Sequence, residues 1–264
     1  MLARLAKRIE DEIGITVSIG LSHNKFLAKV ASDLDKPRGF SLIGKAETVE
    51  FLRDKPVRLI WGVGQVADAA LDKAGIHPFG DLLRWEKEDL HARFGGTGDR
   101  LWHLARGEDY RAVQKNAPVK SVSNETTFHE DTGNLDILDG HLWRLSEKVS
   151  DRLKATDKAG RVVTLKVKQS DFKILTRRQS LRDPTQIADK IYRTARSLFD
   201  TISDRAPFRL IGVGLSGIVP AGAADASADL LDPGATTRAG AERATDAIRD
   251  RFGPDAIIKG RALR

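Results

Sequence analysis

The chain has 264 residues, enough for one or two domains with sizeable cores, and its 44 Lys and Arg against 37 Asp and Glu leave a net charge of +7 that favours a polyanionic partner. With no cysteine, disulfides, thiolate metal sites and cysteine nucleophiles are excluded. The first residues are charged where a secretion signal needs an apolar run, and no stretch is long and apolar enough for a membrane span, so a cytoplasmic protein without membrane contacts is expected.

Leu2, Leu5, Ala6, Ile9 and Ile13 recur at helical spacing, which predicts a helix over 2–13 with Arg4, Lys7, Arg8, Glu10 and Asp11 elsewhere on its surface. An apolar strand over 15–21 follows, then a helix over 24–35 that Pro37 helps to stop, then a strand over 40–43. This strand–helix–turn, GITVSIGLSHNKFLAKVASDLDKPRGF, gathers lysines along part of a helix beside a sheet, a suitable place for phosphates. A strand as apolar as 15–21 calls for neighbours on its flanks, so 1–44 reads as only part of a sheet.

Residues 45–109 read as short helices separated by glycines. Among them VRLIWGVGQVADAALDKAGI has the pattern of a helix–hairpin–helix: Gly62 and Gly64 let the backbone turn closely, and amides at the start of the second helix would face a DNA phosphate. Such contacts hold register without reading bases, and the competing reading is an ordinary helical turn. Residues 110–119 lack helical periodicity and read as a linker.

The segment 120–220 runs strand, helix, strand, strand, helix, strand, which predicts a four-stranded sheet with both helices on one face. The fold class is therefore α+β. Between Arg161 and Arg182 stand seven basic residues and one acid, Asp171, and period-two alternation sends many of those charges to the face away from the helices. A merely solvated face is the competing reading. Residues 221–264 read as a flexible small-residue stretch, a helix near 238–253 and a basic end.

Other patterns carry no chemistry. Gly62-x-Gly64-x-x-Ala67 follows a helix, where a dinucleotide fingerprint must follow a strand. Gly212-x-Gly214-x-x-Gly217 does follow a strand, but Ile218, Val219 and Pro220 cannot open a helix over a pyrophosphate. The six histidines show no metal-ligand spacing, and no Gly-x-Ser-x-Gly elbow is present. Glu10 and Asp11 lie on a charged helix surface, while Trp85, Trp102 and Trp143 occupy apolar helix positions suited to core packing.

Three blocks in order resemble Y-family translesion DNA polymerases of the DNA polymerase IV kind. They are TVSIGLSHNKFLAKVASDLDKPRGF, then IWGVGQVADAALDKAGI with FGGTGDRLWHLARGED, then KSVSNETTFHEDT with the strand–helix pattern after it. The resemblance spans about residues 1–220 and implies a partial palm (1–44), a helical thumb (45–109), a linker (110–119) and a βαββαβ little-finger domain (120–220) before a flexible tail (221–264). It also implies template-directed nucleotidyl transfer in translesion synthesis and DNA repair, on primer-template DNA with deoxynucleoside triphosphates and Mg2+.

Carried over by position, Lys36 would reach the triphosphate and neutralise charge as pyrophosphate leaves. Lys25 and Lys29 would lie near primer-template DNA, and Gly62, Val63 and Gly64 would present amides to the primer strand. Arg161, Lys166, Lys168, Lys173, Arg177, Arg178 and Arg182 would grip phosphates from the sheet face. The family's metal-binding carboxylates come from an early Asp and an Asp-Glu pair ahead of the helix at 2–13, and this chain has none of these positions. No catalytic or metal residue is therefore assigned, and the chain alone is expected to bind primer-template DNA without extending a primer. A non-catalytic DNA-binding module acting as regulator or competitor is the alternative. Asp229-Leu230-Leu231-Asp232 is the nearest match to the family's clamp-docking peptide, which makes the sliding clamp a further expected partner.

Overall fold

The computed structural model describes residues 1–225, 234–253 and 255–260. The chain divides into two compact units, Met1–Asn116 and Ala117–Arg264, with the boundary inside 110–119.

In the first unit, α1 (Leu2–Ile13) has no buried residue. Strand β1 (Ile19–Ser22) pairs in parallel with β2 (Phe40–Ile43), Ile19 opposite Phe40 and Ser22 opposite Ile43. The strand expected over 15–21 thus starts later and is shorter. Its partner is four residues long, so residues 15–18 have no ladder to join. Helix α2 (Lys25–Leu34) covers one face of this pair and is capped by Asn24, whose side chain accepts from the Leu27 N–H at 3.0 Å. Gly20 permits the close crossing: a Cβ there would lie 2.1 Å from the Ala28 carbonyl oxygen. The opposite face of the strand pair exposes Leu21, Phe40 and Leu42.

Helices α3 (Thr48–Arg53), α4 (Gln65–Asp72), α5 (Phe79–Leu82), α6 (Lys87–Phe94) and α7 (Gly96–Ala105) complete the unit. The first helix of the expected helix–hairpin–helix is only a 3-10 turn, Val57–Leu59. Pro56 removes a donor before it and Gly62 turns to φ 102° after it, leaving too few residues for an α-helical nucleus. Phe26, Leu27, Val30 and Ala31 of α2 pack in one core with Leu52, Ile60, Leu71, Phe79 and Leu101. Residues on both sides of position 44 therefore share a single hydrophobic interior.

The second unit follows the expected order: β3 (Ser121–Thr132), α8 (Leu135–Lys154), β4 (Lys158–Gln169), β5 (Ile174–Thr185), α9 (Ala188–Asp200) and β6 (Phe208–Pro220). The strands form one antiparallel sheet in the order β3-β6-β4-β5. Val163, Leu165 and Val167 of β4, with Ile211, Val213 and Leu215 of β6, meet Leu138, Leu142, Leu145 and Val149 of α8 and Ile191, Ala195 and Phe199 of α9. The helix residues recur every three or four positions and the strand residues every second one, so both stripes face one layer. The α+β class holds. After β6, α10 (Ala235–Phe252) packs on α9, with Glu242 buried in the contact. The peptide 229–232 lies outside the described residues.

Candidate nucleic-acid interface

Paired residues in adjacent strands point to the same side of a sheet, so the register reads off the face that α8 and α9 leave open. Across β3, β6, β4 and β5 its rows are Ser121, Ser216, Val162 and Ser180; Ser123, Gly214, Thr164 and Arg178; Glu125, Gly212, Lys166 and Thr176; Thr127, Leu210, Lys168 and Ile174. Lys166, Lys168 and Arg178 therefore stand together on this open face. Arg177 does not. It pairs with buried Leu165, so it points to the helix side at the sheet's edge, where its Nη1 donates to the Thr176 carbonyl at 3.1 Å. Arg182 is exposed beside Leu181, which packs on the core. Arg161 sits at the irregularity between Gly160 and Val162 and donates to the Arg182 carbonyl at 3.1 Å. Lys173 lies in the β4–β5 turn, held by its backbone N–H donating to Asp171 Oδ1 at 2.9 Å.

These cations are engaged to different degrees. Lys166 Nζ lies 2.8 Å from Glu125 Oε2. Lys168 Nζ stands 4.5 Å from the centroid of the exposed Phe172 ring. The side chains of Lys173, Arg178 and Arg182 make no ion pair among the described residues.

Sequence reasoning missed the relief of this face. Gly212 and Gly214 are its outward residues on β6, alternating with the buried Ile211, Val213 and Leu215. They floor a channel of about 280 Å3 walled by Ser121, Ser123, Glu125, Thr164, Lys166 and Ser216. A Cβ on Gly212 would stand 2.8 Å from the Glu125 Cβ, and one on Gly214 would stand 2.7 Å from the Ser123 Cβ. β6 runs on through the Gly-x-Gly of 212–214 to Pro220, and these two glycines open the channel. The signal for it is a glycine at every second place of an otherwise large-residue strand.

In the first unit, Lys29 and Lys36 both pair with Asp33, Lys36 at 2.5 Å. Their ammonium groups, the Lys29 hydrogen bond foremost, hold the Asp33 carboxyl below the usual carboxylate range. Lys25, one turn before Lys29, donates to the Ala112 carbonyl at 3.4 Å. In the hairpin, the Val63 N–H donates to the Ile60 carbonyl at 2.9 Å, so of the three amides expected to face DNA this one is already used. The Gly62 and Gly64 amides make no such bond among the described residues, and Gly64, the N-cap of α4, offers no side-chain cap. The turn is held from outside by Arg100, whose Nη2 donates to the Trp61 carbonyl at 2.7 Å. Trp143 is buried, as expected of a core residue, with Trp85 and Trp102 partly so.

Among the described residues, no group of three or more His, Cys, Asp or Glu is placed to hold a metal ion. Nor is any helix among them long and apolar enough to cross a membrane.

Residues 119–229 match the impB/mucB/samB family C-terminal domain, and residues 1–33 match the impB/mucB/samB family. DNA polymerase IV of Brucella melitensis is 52% identical over 260 residues, which cover 98% of this chain and 58% of that protein. The chain belongs to the Y family of DNA polymerases, on the DNA polymerase IV branch. DNA polymerase IV of Caulobacter vibrioides is 45% identical over 264 residues, 100% of this chain and 65% of that protein. The chain spans about three fifths of the length of these curated relatives. A solved Y-family DNA polymerase chimera of Dbh and Dpo4 shares the fold, with a TM-score of 0.68 and 24% identity, covering 82% of this chain and 63% of that one.

Proposed function

We propose that this chain binds primer-template DNA as the partial palm (1–44), thumb (45–109) and little finger (120–220) of a cytoplasmic translesion polymerase, and that alone it does not extend a primer. The observation that carries the reading is the open sheet face: Lys166, Lys168 and Arg178 project from one side, and the hydrophobic core fills the other. Lysine and arginine on such a face neutralise phosphates and release counterions without reading bases. Lys25 and Lys29 on α2 and the Gly62 and Gly64 amides would add backbone contacts in the first unit, while Lys36 would meet the triphosphate in the complete enzyme.

Magnesium-dependent transfer needs carboxylates that converge on a metal, and the described residues supply no such group. They do not fit the metal, so no catalytic step is assigned to them. The same lack favours a second reading, a non-catalytic DNA-binding module that acts as regulator or competitor. Docking on a sliding clamp through 229–232 stays part of the first reading.

Fluorescence anisotropy with a labelled primer-template duplex tests the binding. Affinity should fall steeply with salt and vary little with base sequence. The Lys168→Gln, Arg178→Gln double variant should flatten the slope of log K against log salt by about 1.8, roughly 0.9 for each phosphate no longer neutralised. A flat salt response in the unmodified chain would remove the sheet-face assignment. Nucleotide incorporation by the purified chain would remove the claim of inactivity.

A further inference from the structure

Glu125 is the one carboxylate in the four rows of the open face, and it is aimed at a lysine expected to hold DNA. The two residues are not on neighbouring strands. Glu125 stands on β3, Lys166 on β4, and β6 runs between them with Gly212 level with both. Two strand spacings separate their backbones, about 9.6 Å. The side chains close that span to 2.8 Å by lying over Gly212. Only a residue without a Cβ leaves room, since a Cβ there would meet the Glu125 Cβ at 2.8 Å. The next row repeats the device without charge, Ser123 and Thr164 facing each other over Gly214. Around the pair, the hydroxyls of Ser121, Ser123, Thr164 and Ser216 line the channel as uncharged donors.

A phosphate that enters this channel meets a lysine whose charge is already balanced, and a carboxylate that repels it. We propose that Glu125 is a built-in counter-charge: it holds Lys166 across the channel until a DNA phosphate takes the ammonium, and so limits the grip of this face and its salt dependence. The inference rests on the DNA-binding reading and adds a regulator of that same site. Its physical consequence is specific. When DNA takes Lys166 from Glu125, the freed carboxylate stays beside the phosphates and draws cations from solution, which offsets part of the counterion release. With a neutral side chain at 125, no cation is taken up.

The test uses the full chain, a fluorescein-labelled primer-template duplex and a salt series. Glu125→Gln should tighten binding at low salt by about fivefold, the effect of one exposed charge pair. It should also steepen the slope of log K against log salt, by up to about 0.9. Lys166→Met should weaken binding less than about twofold on its own, yet erase the whole gain when combined with Glu125→Gln. Asp250→Asn, which removes an equal charge from α10, should leave the slope unchanged; a slope that steepens equally with this variant would reduce the effect to net charge and overturn the proposal. Unchanged or weaker binding by Glu125→Gln, with the wild type still binding in a salt-dependent way, would overturn the counter-charge and leave the DNA reading standing. Absence of binding by the wild type in dilute buffer would overturn both. Should Glu125→Gln disturb the strand, Glu125→Ala carries the same expectations.

Discussion

The Glu242 carboxylate supplies the cap that α9 lacks in its own segment. Ile187 precedes α9 and offers no side-chain acceptor, so the first amides of that helix need an outside partner. Glu242 Oε1 accepts from the Ala188 N–H at 2.8 Å, and Oε2 accepts from the Asp189 N–H at 3.2 Å. Lys154 of α8 donates to the same carboxylate at 2.6 Å and to Asp246 at 2.7 Å. With Glu242 only 3% exposed, this is a buried ion pair that ties three helices. Glu242→Gln leaves Lys154 with one fewer counter-charge, and should cost the second unit about 3 kcal/mol in urea unfolding. An unchanged midpoint would show that α10 is held by other contacts. The pH dependence has a definite sign. Burial pulls the Lys154 pKa down, but hydrogen bonds with Asp246 and Glu242 outweigh it and leave the value raised. A raised cation contributes fully below its unfolded value and loses that contribution as pH rises through the folded one. The thermal midpoint of the second unit should therefore fall on the alkaline side, and less so in Glu242→Gln.

The contact between β1 and α2 depends on one missing side chain. Gly20 lies under α2 with Ala28 O, Ser32 N and Ala31 C all inside 3 Å of where a Cβ would be, at 2.1, 2.2 and 2.7 Å. These are backbone atoms of a regular helix and cannot swing aside. Gly20→Ala should push α2 off the strand pair and cost the first unit about 3 kcal/mol by overpacking, read from its urea midpoint. A loss under about 0.5 kcal/mol would mean that the helix shifts freely. At this scale, much of the fold is legible in the sequence. Asn24 before an amphipathic run marks α2, and period-two alternation between turn residues marks β3 to β6. What stays hidden depends on pairing. Arg177 and Arg178 are neighbours of like charge, and only the register with Leu165 and Thr164 places one toward the helices and the other on the open face. The strand over 15–21 reads as long because its residues are apolar, but its length is set by a partner four residues long. The Val63 amide reads as free because glycines flank it, and a turn bond to Ile60 takes it. Lys166 reads as a free cation because Glu125, its partner, is far away in sequence.

Across the whole molecule, the two interiors have no residue in common. One cluster runs from Phe26 to Ala105, the other from Val122 to Leu215. Each unit thus carries the apolar burial that stabilises it, and burial is the largest favourable term in folding. The chain should then unfold in two cooperative steps, not one. Gly20 and Glu242 provide a handle on each. In calorimetry of the full chain, Gly20→Ala should lower only the transition of Met1–Asn116, and Glu242→Gln only that of Ala117–Arg264. In the double variant the two losses should add to within about 0.5 kcal/mol, as they do for sites that share no partners. A single transition displaced by either substitution would mean that the units melt as one body, and that the two cores stabilise each other. Independence also has a use in the proposed role. Salt-dependent attachment by the sheet face then persists when the strand pair of the first unit opens, so Gly20→Ala should leave the anisotropy salt slope of the second unit's cations intact.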